Sequence, residues 1–181
     1  MANTSFTTAK IFDEVKSLEE MVKLFGQVTS EKTEYDILLD LGYTEEEADN
    51  LDVRGYIDYY KLDYEKKMLE ISISHKWCAP TDFLKALWDK FPKSSIYFAT
   101  EESGCEIFET NDSEFEYFDR YIVLSPDSED EYYHTFDDLQ KAIIDIYGYQ
   151  NNEIDTFEKL KKKVEDIDEN ISIYEFEVVE L

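Results

Sequence analysis

Three stretches in the first fifty residues carry apolar side chains at helical spacing. In "TTAKIFDEVKSLEEMVKLFG" six apolar residues share one stripe: Ile11, Phe12, Val15, Leu18, Val22 and Phe25. This stripe predicts a helix that begins at Thr8 and ends at Gly26. "SEKTEYDILLDLG" predicts a second helix ending at Gly42, and "TEEEADNL" a third that begins with Thr44 and Glu47 at capping-box spacing. The pattern therefore predicts a small N-terminal helical segment, residues 1–52.

The period of the pattern changes to two in the next segment. Leu69, Ile71 and Ile73 alternate with polar residues, which predicts a half-buried strand. The tyrosine-rich run 56–64 precedes it and joins it through the turn "YEKK", so the two segments predict a hairpin.

Helices and strands alternate through the rest of the chain. "APTDFLKALWDKFP" predicts a helix capped by Thr81, with five residues facing inward: Phe83, Leu84, Leu87, Trp88 and Phe91. "SSIYFATEE", "CEIFETN" and "EYFDRYIVL" predict strands, "TFDDLQKAIIDIYG" and "DTFEKLKKKVEDI" predict helices, and "ISIYEFEVVEL" predicts a closing strand. We therefore expect an α+β fold over residues 53–181, a mostly antiparallel sheet with helices on one face, compatible with a ferredoxin-like core.

One segment of this fold carries a family resemblance. "LEISISHKWCAPTDFLKALWDKFPKSSIYFATEESGCEIF" has an apolar strand, then Trp77 shortly before Pro80, then a helix that ends at Phe91-Pro92. This segment, roughly residues 67–110, resembles the YubB-type ferredoxin-like domain of plasmid and phage proteins. It departs from that pattern in having a single proline after the tryptophan. The resemblance implies a ferredoxin-like fold and a mobile-element origin, and it implies no reaction.

The charge of the chain is strongly and unevenly negative. The net charge is −26, and residues 100–138 alone carry 14 acidic residues and 1 basic residue. At 43% hydrophobic content, this acidity is not the mark of a disordered chain. Such a field repels nucleic acid and anionic membranes and favours a basic partner. We also expect stability to rise with added salt, because salt screens the self-repulsion.

The sequence predicts a cytoplasmic protein. It shows no apolar run behind a basic cluster at its start and no stretch of eighteen apolar residues, so we expect neither a signal peptide nor a membrane span. Its two cysteines, Cys78 and Cys105, fit free thiols in a reducing compartment.

Two groups of residues are weak candidates for metal or nucleophilic chemistry. His75, Cys78, Cys105 and His134 are the soft ligands, but only the first two have the close spacing of a zinc knuckle. The same His75 and Cys78 are the candidates for a Cys–His nucleophile pair, which lacks a sequence signature. The loop 127–138 has oxygen-bearing residues in the register of a calcium loop, but Tyr132 occupies the position where that loop needs glycine. No phosphate-binding glycine motif is present. We therefore assign no catalytic residue, metal or cofactor, and expect a protein that is not an enzyme.

The acidic segment itself is the candidate binding surface. In a strand, alternate side chains share one face, so Asp112, Glu114 and Glu116 are predicted to form a row beside a hairpin that bears further carboxylates. The predicted partner-binding residues are Glu101, Glu102, Glu106, Glu109, Asp112, Glu114, Glu116, Asp119, Asp127, Glu129, Asp130, Glu131, Tyr117, Tyr132 and Tyr133. Carboxylates interleaved with tyrosines suit a groove that binds phosphates and bases. A net charge of −26 equals that of roughly 44 Å of duplex DNA, since duplex DNA carries one charge per about 1.7 Å.

These features favour a nucleic-acid mimic. We expect an acidic interaction protein from a mobile element that blocks a basic nucleic-acid-binding host defence nuclease, of the restriction or CRISPR type, without itself binding nucleic acid. The alternatives are an immunity protein or antitoxin for one basic toxin, and an accessory protein whose acidity only confers solubility. A metal-dependent module built on His75 and Cys78 is a further alternative. The sequence does not indicate the oligomeric state.

Overall fold

The computed structural model describes residues 3–26, 32–126, 129–147 and 154–181. The strands are β1 (Thr4–Phe12), β2 (Tyr56–Asp63), β3 (Met68–Lys76), β4 (Ser95–Glu102), β5 (Ile107–Thr110), β6 (Tyr121–Leu124), β7 (Glu131–Tyr133), β8 (Ser172–Glu175) and β9 (Glu177–Val178). The helices are α1 (Val15–Phe25), α2 (Glu34–Leu41), α3 (Glu45–Asp49), α4 (Thr81–Lys90), α5 (Phe136–Tyr147) and α6 (Phe157–Glu165). The fold is therefore α+β.

The chain divides into two compact units. The first unit comprises Met1–Asp112 and Val178–Leu181, and the second unit comprises Ser113–Glu177. The predicted boundary after residue 52 does not coincide with this division, because the N-terminal segment contributes β1 to the middle of the first unit's sheet.

A six-stranded sheet with the order β2-β3-β1-β4-β5-β9 forms the first unit. The pairings β1–β3, β1–β4, β2–β3 and β4–β5 are antiparallel, and the sheet as a whole is mixed. Ala9 and Ile11 of β1 are fully buried in one core with Leu18 of α1 and Phe83 of α4. That core packs helices against the sheet face that carries Ala9 and Ile11.

The predicted first helix is wrong over its first half. Residues 4–12 form β1, in which Ser5, Thr7, Ala9 and Ile11 are buried while the residues between them are exposed or half-buried. The alternation was not predicted because two of the four buried positions, Ser5 and Thr7, hold hydroxyl residues and not apolar ones. α1 starts only at Val15, after Asp13 and Glu14.

α2 and α3 follow their predicted signals, but the predicted cap of α4 is wrong: Pro80 occupies the N-cap position without a side-chain hydrogen bond, and Thr81 is the first residue of the helix. Thr44 caps α3 with the reciprocal Glu47 hydrogen bond of a capping box, and Gly42 closes α2 in the left-handed conformation at φ 98°. Phe83, Leu84 and Leu87 of α4 are buried as predicted. Trp88 was predicted to face inward and is instead 43% exposed.

The second unit is a three-stranded antiparallel sheet of order β7-β6-β8 with α5 and α6. α5 packs beside β7 and α6 beside β8. The core contains Leu139, Ile143, Leu160 and Val164 from the helices, and Tyr121 of β6 stacks on the ring of Phe157 at a centroid distance of 5.4 Å.

Two predicted strands in this half of the chain are shorter than expected. The predicted strand 116–124 is reduced to β6, and β7 was not predicted. The closing segment is split into β8 and β9 at Phe176, whose backbone N–H donates to the carbonyl of Arg120. Among the described residues, no helix is long and apolar enough to cross a bilayer.

Candidate functional site

The carboxylates of the β4–β5 hairpin do not share one face. Glu101 pairs with Phe108 and Glu102 pairs with Ile107, so successive residues point to opposite sides of the sheet. Glu102 is 7% exposed, and its carboxylate accepts hydrogen bonds from the backbone N–H groups of the turn residues Gly104 and Cys105. Of the five predicted binding residues in this hairpin, Glu102 and Asp112 are buried, Glu101 and Glu109 are half-buried, and Glu106 is exposed.

The predicted row of Asp112, Glu114 and Glu116 is wrong. Residues 113–120 contain no strand, and Phe115 between the two glutamates has a left-handed backbone at φ 53°, which interrupts an extended chain. Phe115 is buried, with the guanidinium of Arg120 5.2 Å from its ring centroid.

The other predicted residues near this loop lie apart from any row. Glu114 and Glu116 are exposed, Tyr117 is half-buried, and Asp119 lies 3.9 Å from Nδ1 of His134.

A compact group of exposed carboxylates lies along β7 and the start of α5. We call it the acidic edge; its members are Glu129, Asp130, Glu131, Asp137 and Asp138, all exposed. β7 is an edge strand, and the lysine-rich helix α6 packs at β8, on the opposite edge of the three-stranded sheet. The sheet therefore places Glu131 of β7 and the lysine-rich helix α6 at opposite edges, about 10 Å apart, although α6 also contacts α5, the helix that carries Asp137 and Asp138.

Two tyrosines accompany the acidic edge. Tyr132 is 45% exposed, whereas the hydroxyl of Tyr133 donates to Oε2 of Glu131. Burial, reinforced by that carboxylate, raises the pKa of Tyr133 to about 12.

The loop 127–138 does not present a calcium-loop geometry in its described part. Asp127 lies outside the described residues. Thr135 and Asp138 form a helix cap instead, in which Thr135 Oγ1 donates to Asp138 Oδ2 at 2.6 Å and accepts from the Asp138 N–H at 3.2 Å. No group of three or more His, Cys, Asp or Glu side chains among the described residues is arranged to hold a metal ion.

A second candidate site is a buried polar cluster in the first unit. We call it the Glu34 cluster; its members are Glu34, Asp52, Arg54, His75 and Cys78. Oε2 of Glu34 lies 3.5 Å from Nε2 of His75 and accepts the Gly55 N–H at 2.9 Å. The side chains of Glu34 and His75 are both fully buried. The first residue of α2 is thus tied to β3 and to the segment before β2.

Gly55 makes this approach possible. A Cβ at this position would lie 2.5 Å from the backbone oxygen of Ser74 and 2.8 Å from Oε1 of Glu34. Oε1 of Glu34 is buried and has no hydrogen-bond partner within the described part of the chain. Burial, with a smaller contribution from the Asp52 carboxylate, raises the pKa of Glu34 to about 8, although the Gly55 hydrogen bond opposes this shift. At neutral pH Glu34 is therefore largely an uncharged carboxylic acid.

The cluster does not form an activated nucleophile. Both ring nitrogens of His75 face backbone groups: Nδ1 lies 3.2 Å from the Cys78 carbonyl oxygen, and Nε2 lies 3.3 Å from the Asp52 carbonyl oxygen and 3.4 Å from the Arg54 backbone nitrogen. Cys78 Sγ is farther from the ring, 3.9 Å from Nδ1. Burial and then the Asp52 carboxylate raise the pKa of the Cys78 thiol, so the thiolate is disfavoured.

Of the four soft ligands, the structure brings only His75 and Cys78 together. Cys105 is exposed and accepts a hydrogen bond from Asn3 Nδ2 at 3.1 Å, and both cysteines are free thiols. Sequence reasoning missed Glu34 and Asp52. The signal for Glu34 was its place directly after the capping Thr33, where a carboxyl group suits a helix start, but its burial depends on residues far along the chain.

Comparison with known proteins gives no match. The chain matches no protein-family model, no curated protein and no solved structure.

Proposed function

We propose that this chain is an acidic interaction protein that occupies the nucleic-acid-binding surface of a basic protein. The observation that carries the proposal is the acidic edge, five exposed carboxylates distributed over the residues before the edge strand β7, β7 itself and the start of α5. The proposed partner-binding set centres on this edge and includes Tyr132, whose exposed ring offers a flat surface beside the carboxylates.

The charge of the second unit is presented to solvent. It has 19 acidic and 6 basic residues, and none of its 17 described acidic side chains is buried. Glu129, Asp130 and Glu131 are consecutive in the chain and all exposed, so they concentrate negative charge at this edge. A lysine- or arginine-lined groove that attracts the phosphates of DNA attracts such a concentration of carboxylates as well.

The mobile-element origin and the ferredoxin-like core belong to the same proposal. The order β2-β3-β1-β4, with α1 following β1 and α4 following β3, supports a ferredoxin-like arrangement. The segment that resembles the plasmid and phage family extends over β3, α4, β4 and β5. For a mobile element, the target to expect is a host defence nuclease of the restriction or CRISPR type.

A competition assay tests the proposal. A panel of basic nucleases is incubated with DNA and increasing amounts of the protein at about 50 mM and about 300 mM salt. We expect inhibition of at least one nuclease at low salt that weakens at high salt, because electrostatic attraction is screened. Full activity of the whole panel with excess protein at low salt would refute the mimic. Inhibition of a single toxin nuclease and no defence nuclease would favour the immunity-protein alternative.

A further inference from the structure

Exposed aromatic rings surround a carboxylate at the edge of the first unit's sheet. Phe6 of β1 is 60% exposed, and Tyr56 and Tyr59 of β2 are 38% and 51% exposed. Asp58, also exposed, lies between the two tyrosines in the chain. We call Phe6, Tyr56, Asp58 and Tyr59 the Tyr56 patch. It lies on the face opposite the helices, because the neighbours of Phe6 in β1, Ser5 and Thr7, are the buried ones.

The strand register brings these residues together over a serine. Ser74 of β3 pairs with Phe6 on one side and with Tyr56 on the other. The backbone positions that carry the two rings are therefore two strand spacings apart, about 10 Å, with the small side chain of Ser74 between them. Ser74 Oγ donates to Asp58 Oδ2 at 2.7 Å. The register shifts between Ile57 and Tyr59, so Asp58 is a bulge residue, and such bulges redirect a side chain at a sheet edge.

The chemistry of the patch selects a planar cation. Asp58 Oδ1 has no hydrogen-bond or ion-pair partner within the described part of the chain. A guanidinium group donates to a carboxylate in a fork and stacks on aromatic faces, and it is more weakly hydrated than an ammonium group. We infer that the Tyr56 patch binds an arginine side chain of a basic protein partner.

The surrounding charge supports a cation over a nucleobase. Glu101 pairs with Phe6 in the β1–β4 register and adds a second carboxylate. The basic residues nearby in sequence are Lys76, two residues beyond Ser74 on β3, and Arg54, two residues before Tyr56, whose guanidinium is paired with Asp52. The net charge of −26 repels a phosphate backbone. The basic nature of the partner rests on the proposed function, but the recognition of arginine by these residues does not.

Short peptides test the patch without any partner protein. The probes are the capped peptide Gly-Arg-Gly-Arg-Gly and its lysine and citrulline analogues, titrated into the whole protein and followed by NMR shifts of residues around Ser74. We expect the arginine peptide to bind more tightly than the lysine peptide and the uncharged citrulline peptide to cause no shift. Asp58→Asn weakens arginine binding about tenfold and Tyr59→Leu about threefold.

Two control variants show whether a loss of binding is specific to the patch or follows from removing any exposed charge or ring. Asp89→Asn removes one exposed charge on α4, and Tyr64→Leu removes one exposed ring in the β2–β3 turn, and both retain wild-type binding. Absence of binding, equal binding of the lysine peptide, or equal loss in the control variants would overturn the inference. Because the nuclease panel is a separate assay, peptide binding without nuclease inhibition refutes the proposed function and leaves the arginine site standing.

Discussion

The two units carry the same net charge and use it differently. Each has a formal net charge of −13, with every carboxyl group counted as ionised, the first over 116 residues and the second over 65. The first unit buries three carboxylates, Glu34, Glu102 and Asp112, whereas none of the described acidic side chains of the second unit is buried. Part of the acidity of the first unit therefore lies in its interior and not on its surface. The charge of the second unit acts on solvent, on salt and on whatever approaches it.

The largest expected effect concerns the pH dependence of the first unit. The pKa of Glu34 is about 8 in the folded protein and about 4.5 when unfolded, so the unfolded chain loses its proton first. Stability then falls as pH rises from about 4.5 to about 8, by roughly 4–5 kcal/mol in total, and falls no further above that. Glu34→Gln removes this slope. Denaturant unfolding from pH 4 to 9 measures it through Trp77 and Trp88, since both tryptophans lie in the first unit.

Glu46→Gln is the control for that measurement. Glu46 is exposed on α3 and is not part of its capping box, so this variant keeps the wild-type curve. If Glu34→Gln and wild type show parallel pH profiles, Glu34 is not the buried acid described above.

The next effect comes from the backbone approach at Gly55. Gly55→Ala places a methyl group against the backbone oxygen of Ser74, and we expect a loss of about 3 kcal/mol, because neither main-chain segment can give way easily. In Gly104→Ala the closest atom, at 2.9 Å, belongs to the side chain of Glu102, and the expected loss is below about 1 kcal/mol. Equal losses in urea unfolding would show that the Glu34 cluster is not tightly packed.

Added salt is expected to stabilise the second unit more than the first. Raising NaCl from about 20 mM to about 500 mM shortens the Debye length to about 4 Å and screens the exposed carboxylates of the second unit. We expect amide hydrogen exchange in α5 and α6 to slow severalfold, and exchange in β1 and β3 to change less. The same slowing in both units would mean that burial of carboxylates makes no difference to their response to salt.

The smallest effects come from the helix caps. Thr44 belongs to a full capping box, whereas Thr156 accepts the Lys159 N–H at 3.4 Å and the residue at the third helical position, Lys159, has no carboxylate to complete a box. Thr44→Ala is expected to cost about 1 kcal/mol and Thr156→Ala about half as much. Thermal unfolding followed by circular dichroism compares the two, with Thr44→Ser and Thr156→Ser as controls that keep the hydroxyl group. A larger loss at Thr156 would contradict this order.

Local pattern predicted the elements whose buried positions are apolar. β3 was predicted from Leu69, Ile71 and Ile73, and all three are fully buried. β1 was missed because its buried positions include Ser5 and Thr7. Their hydroxyl groups are satisfied by Cys78 O at 2.6 Å and by the hydroxyl of Thr100 at 2.7 Å, partners 73 and 93 residues away. A buried polar residue reveals itself only through such distant partners.

The same limit applied to the candidate sites. Composition predicted a strongly acidic surface, but it did not predict which carboxylates are buried. Glu34 is buried because Gly55 and His75, 21 and 41 residues further along the chain, are its neighbours. The left-handed backbone of Phe115 interrupts the predicted row, and the periodicity of the sequence does not predict this conformation.

The central claim is that the acidic edge binds a basic partner, and one comparison tests it most directly. Association rates with an inhibited nuclease are measured at several salt concentrations for wild type, for Glu129→Gln/Asp130→Asn/Glu131→Gln, and for Glu45→Gln/Glu46→Gln/Glu65→Gln, which removes three exposed charges from the first unit. We predict that the acidic-edge variant associates about tenfold more slowly at low salt, that the difference disappears near 0.5 M salt, and that the other variant behaves like wild type. Equal slowing in both variants, or in neither, would contradict the claim.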